Sequence, residues 1–129
     1  MDATQALEEL TEISSQIGAA AVFRADGTVE AATLAEERAG AFVQAARALL
    51  DAAAEGDRDV QQLEAATAAG SVFVVRDGER AIVATTGPEP TVGLVFYDLK
   101  SCLRTVSAAE LEAAKPKRAR RKKENGAGA

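Results

Sequence analysis

The residues able to do chemistry are few. Cys102 is the one thiol and the 129 residues contain no histidine, so neither a Ser-His-Asp nor a Cys-His arrangement can be assembled, nor any His-containing metal site. Cys102 falls at the margin of an apolar helical face, where the expected role is that of a small buried residue. Asp57 and Asp59 put two carboxylates in one loop, but a cation site needs more oxygen ligands than these two, and they read as a solvated loop. No G-x-x-x-x-G-K-[ST] occurs, so the chain has no phosphate-cradling loop of its own. Arg24, Arg76 and Arg80, near strand ends, could in principle reach a partner's phosphates as an arginine finger. Their plainer role is to face solvent. The expectation is a non-enzymatic protein without cofactor or metal.

Charge is more informative than catalytic residue types. Lys115, Lys117, Arg118, Arg120, Arg121, Lys122 and Lys123 put seven cations into nine residues, and with Glu124 as the one acid, residues 115–129 carry +6. Residues 1–114 hold eight basic and nineteen acidic residues, hence −11. An acidic body is a poor nucleic-acid surface, so any such contact would come from the tail. The tail has three anionic partners open to it: nucleic acid, an anionic membrane surface, or an acidic patch on the body or another protein. Without an aromatic for base stacking it is not a sequence-specific reader, and it can also be no more than a solubilising run.

The hydrophobic fraction of 47% in a chain of this length supports one core and one domain. No apolar run is long enough to cross a bilayer, and the acidic start MDATQALEEL is unlike a secretion signal. Cytoplasmic placement is the expectation, and a single cysteine agrees with a reducing compartment.

The elements that position these residues follow from periodicity. Leu7, Leu10, Ile13 and Ile17 predict an amphipathic first helix over 2–16, capped by Asp2 or Thr4 and ended by Gly18. Ala19 to Phe23 is apolar throughout, as a central strand is, and an Asp26-Gly27 turn leads to a half-wet edge strand over 28–33. A long helix follows over 34–55, with Ala39, Phe42, Val43, Ala46, Leu49, Leu50 and Ala53 as its core face. Beside that face lies a stripe of Ala41, Ala45, Ala48 and Ala52. Such small side chains permit close approach of another helix, although alanine is also the best helix former and abundant here.

Val60 to Thr67, with Leu63 and Ala65 among polar residues, predicts another edge strand. Val72–Val75 and Ala81–Ala84 form a central hairpin about Asp77-Gly78. Val92, Val95, Phe96, Leu99, Leu103 and Val106 give a third helix its core face, with Gly93 suggesting close backbone packing. KPKRARRKKENGAGA is expected to be unstructured, so the domain is placed at 1–107 and a basic tail at 108–129.

The segments AAVFRADGTVEAAT and PTVGLVFYDLKSCLRTV, in this order of elements, resemble the Roadblock/LC7 domain over about residues 4–107. The similarity is greatest to the bacterial type encoded beside small Ras-like GTPases, whose last helix often carries a GLV followed by an aromatic and an acidic residue, here Gly93-Leu94-Val95 and Tyr97-Asp98. The resemblance implies an α/β class, profilin-like α/β/α sandwich: a five-stranded, mainly antiparallel sheet in the order 2-1-5-4-3 with helices on both faces. It further implies a homodimer formed through the long helix and the third strand, placing Ala41, Ala45, Ala48, Ala52 and Leu63 at the interface. The function implied is regulation or scaffolding of a small Ras-like GTPase. The basic tail is not part of that pattern, which leaves open a dimeric adaptor whose tail binds nucleic acid or an anionic membrane surface.

Overall fold

Arg80–Thr86 forms the middle strand, β5, and its residues are buried almost throughout because both faces of the sheet are covered. A computed structural model describes residues 2–55 and 59–128, with side chains through residue 111. The other elements are α1 (Ala3–Ile13), β1 (Ile17–Arg24), β2 (Val29–Ala32), α2 (Glu36–Ala53), β3 (Gln62–Thr67), β4 (Gly70–Asp77) and α3 (Val92–Gly128). The strands lie in the order β2-β1-β5-β4-β3 and every neighbouring pair is antiparallel. Strands expected at the centre are central, and the two wet strands are the edges.

Strand alternation divides the core in two. Ala20, Val22, Phe73, Val75, Ile82 and Ala84 pack against Leu7 and Leu10 of α1 and Val95, Leu99 and Leu103 of α3. On the opposite face Ala21, Phe23, Val74, Ala81 and Val83 meet Val43, Ala46 and Leu50 of α2. Phe73 and Phe96 add an edge-to-face pair with centroids 5.0 Å apart. Burying a side chain of Leu or Phe size contributes roughly 1.5–3 kcal/mol, so each helix is held mainly by its apolar stripe.

Several local expectations needed correction. The first helix stops at Ile13, not Gln16: Ser14 takes the C-cap position and donates its N–H to the Leu10 carbonyl at 2.9 Å. Ile17 is buried as a strand residue and Ile13 is left 65% exposed, since the helical i, i+4 spacing of the two isoleucines spans the end of α1 and the start of β1. At the other end Asp2 forms a full capping box with Gln5. Asp77 pairs with Arg80, which makes Gly78-Glu79 the two-residue hairpin loop. Gly78 has φ +64°, and a glycine first in such a loop with an ordinary second residue is the type II′ arrangement.

Gly93 has nothing within 4 Å of where a Cβ would stand, so it marks no close packing. α3 also runs on past the boundary placed at residue 107: Ser107 and Glu110 still touch the body through Arg80.

Candidate functional site: interaction surfaces

Two surfaces and one ion cluster gather the side chains singled out above. α2 lies on one face of the sheet with Ala39, Val43, Ala46 and Leu50 turned inward, and Glu36 and Glu37 in its first turn complement the helix dipole. Rotation by about 100° per residue then places Ala41, Ala45, Ala48 and Ala52 together on the outside, where all four are exposed. Leu63 is half-buried against the α2-side core. It sits on β3, an edge whose outer side has no neighbouring strand in the sheet.

Arg80 overturns its expected solvent-facing role. It is 8% exposed, and its Nε donates to Glu30 Oε1 at 2.6 Å while Nη2 donates to Glu30 Oε2 at 3.2 Å. The same guanidinium donates to Ser107 Oγ at 3.2 Å and to the Glu110 carboxylate. Arg24 stands at the rim, 3.6 Å from Glu30 and 3.9 Å from Glu110. Two cations and two anions thus tie β1, β2, β5 and α3 together. The Glu30 hydrogen bond raises the Arg80 pKa further above its ordinary value against the opposing effect of burial. Arg80 donates a hydrogen bond to the Glu110 carboxyl and so lowers its pKa.

Arg80 is held inside this cluster, while Arg24 keeps a 39% exposed side chain at its rim. Arg76 is paired with Asp59 at 2.9 Å, which also occupies one of the two acids weighed as cation ligands. Asp57 lies outside the described residues. Among the described residues no group of three or more potential metal ligands occurs.

Cys102 is 6% exposed, as its place on α3 implied. Burial, with a smaller contribution from Glu9, pushes its thiol up to about 11, which removes the thiolate needed of a nucleophile. Among the described residues no helix is long and apolar enough to cross a membrane. The tail cations Lys115, Lys117, Arg118, Arg120, Arg121, Lys122 and Lys123 have side chains outside the described ones. The Arg80 cluster was not legible as a unit. An arginine opening a buried strand was the only local sign of it.

The architecture defined by these elements is a three-layer α/β/α sandwich around a meandering antiparallel sheet. It is the Roadblock/LC7 fold. The Roadblock/LC7 domain from Streptomyces avermitilis superposes with a TM-score of 0.76 at 18% identity, over 86% of this chain and 99% of that one. Myxococcus xanthus MglB gives 0.69 at 13% identity, over 84% and 94%. The gliding protein MglB from Thermus thermophilus gives 0.63 at 19%, over 82% and 86%. No protein-family model and no curated protein matches the chain in sequence.

Proposed function

We propose that this chain is a non-enzymatic, cytoplasmic homodimer that regulates or scaffolds a small Ras-like GTPase. The observation that carries this reading is the Roadblock/LC7 fold, shared with MglB proteins over most of the chain, together with the sequence resemblance to the GTPase-associated type. The exposed Ala41, Ala45, Ala48 and Ala52 stripe and the open β3 edge carrying Leu63 supply a surface on which a second copy can close. A solved MglB is described in a tetrameric arrangement, which supports self-association as a use of this fold. The GTPase then binds across α2 of the dimer, and its nucleotide state sets the affinity.

The test is binding of the full-length chain to a Ras-like GTPase encoded beside it, loaded with a GTP analogue or with GDP, by calorimetry. A difference in affinity between the two states is expected. Absence of binding in either state overturns the reading.

The charge division favours a second role within the same framework. The domain placed at 1–107, to which Glu110 is still bound through Arg80, dimerises, and the basic run over 115–123 beyond it makes weak, sequence-independent contacts with nucleic acid or anionic lipid.

A further inference from the structure

The face of the sheet opposite α2 carries a small groove, about 60 Å³, between α1 and α3. Glu9, Leu10 and Ile13 line it from α1, and Asp98, Ser101 and Cys102 from α3. Leu10 and Cys102 are buried and make an apolar floor, while Ile13 is 65% exposed at the mouth. Leu94, 49% exposed, lies one helical turn before Asp98 on the same stripe of α3. The rim therefore offers apolar contact on both walls.

Asp98 is the unusual member. It is 8% exposed, lines the groove, and has no hydrogen bond or ion pair among the described residues. The one other buried charge among the described residues, Arg80, is paired with Glu30. Its oxygens keep a narrow contact with water, since the Ser14 hydroxyl is the one fully buried side-chain polar atom without a partner among the described residues, and a cation entering the groove would replace that water with a charge-assisted hydrogen bond. No lysine or arginine lines the groove. The nearest cations in sequence, Lys100 and Arg104, line a separate cavity beside Gln61, Gln62 and Arg76 on the β3–β4 side. The Thr105 hydroxyl donates to the Ser101 carbonyl at 3.0 Å and so leaves Asp98 alone.

We propose that this α1/α3 groove is a docking site for a partner protein's segment that inserts one lysine or arginine side chain between Asp98 and Glu9 and covers Ile13 and Leu94 with flanking apolar residues. Charge complementarity selects the cation, since both ionisable groups lining the groove beside the thiol are acids. The apolar rim selects a segment with greasy neighbours. This chain's own KPKRARRKK run has only Ala119 and Pro116 between its cations and lacks such neighbours. The site lies across the sheet from α2, so it can be filled together with that helix's outer face and stands independently of the GTPase reading.

A random peptide library displayed on phage, selected against the full-length chain, supplies the probes. Enriched peptides are expected to share a lysine or arginine flanked by aliphatic residues. They should bind the wild type at least about tenfold more tightly than Asp98→Asn, as removal of one member of a desolvated charge pair demands. Ile13→Ser, at an exposed position that cannot disturb the core, is expected to weaken the same peptides several-fold. Chemical shifts at residues 9–13 and 94–102 should move on titration with butylammonium and stay in place with butanol. Enriched peptides without a basic residue, equal binding to Asp98→Asn, or equal shifts with butanol would each overturn the proposal. Binding seen only after the seven tail cations are changed to glutamine in the full-length chain would also overturn it, because the groove's occupant would then be the chain's own tail.

Discussion

Arg80 of β5 grips Glu30 of β2 with two hydrogen bonds, Nε to Oε1 at 2.6 Å and Nη2 to Oε2 at 3.2 Å, across the intervening strand β1. The side chain of Arg80 is 9% exposed and that of Glu30 20%. The pair is therefore shielded from water far more than a surface ion pair. It also holds the turn of α3 containing Ser107 and Glu110.

Removing the arginine alone leaves Glu30 and Glu110 facing each other without its charge between them. Arg80→Met is expected to destabilise the fold by about 2–3 kcal/mol, somewhat under the usual range for a fully buried pair because Glu30 keeps some water. Urea unfolding midpoints measure it. Adding Glu30→Met should recover part of the loss, since an apolar pair of similar volume replaces a shielded carboxylate left with Arg24 alone, 3.6 Å away. A double variant less stable than the single one would contradict this account of the cluster.

Glu110 ties the cluster to pH. Its carboxyl is held below the ordinary 4.5 by the hydrogen bond from Arg80, and a group with a lowered folded pKa stabilises the fold above its unfolded value. That contribution is lost as pH falls through the lowered value. Wild type should exceed Glu110→Gln in stability at neutral pH, and the gap should close in acid below the ordinary value. A gap that stays constant as the pH falls far below the ordinary carboxylate value would exclude this linkage.

The exposed alanine stripe can be tested without touching the core. Ala45→Glu with Ala48→Glu places two carboxylates on the outer face of α2, where both positions are exposed in the single chain. Folding should be retained by circular dichroism while light scattering shows monomers in place of dimers. Wild-type protein that is monomeric at tens of micromolar, roughly the concentration at which an 8 kcal/mol association is well populated, would refute the homodimer.

The tail's seven cations set an upper bound on its salt response. If all seven met phosphates, the log-log slope of affinity against salt would be about −5 to −6. Attraction to the chain's own acidic body competes and reduces it. Fluorescence anisotropy with unrelated DNA, RNA and anionic vesicles should show weak binding at low salt that disappears when residues 115–123 are removed. Binding indifferent to salt, or surviving that removal, would place the site on the body.

Element order, the division into central and edge strands and which helix faces are buried were legible because each is a local or periodic property, whereas the full sheet order was implied only by the Roadblock/LC7 resemblance. Val72–Val75 and Ala81–Ala84 are apolar at successive positions, which only a strand covered on both faces tolerates, whereas the alternation around Leu63 marks an edge. Where two local patterns coincide, the chain's own spacing misleads: Ile13 and Ile17 are four apart as in a helix, yet Ser14 breaks between them and one isoleucine goes to solvent. Gly93 likewise carries no signal separating a close contact from open space. The Arg80 cluster and the unpartnered Asp98 belong to tertiary structure alone. Arg80 meets partners 50 residues before it and 30 after it, and Asp98 is left without a partner because α1 covers it while Lys100 and Arg104 turn the other way. An ionisable side chain's state depends on what the fold brings within a few ångströms of it, and no periodicity along the chain encodes that distance.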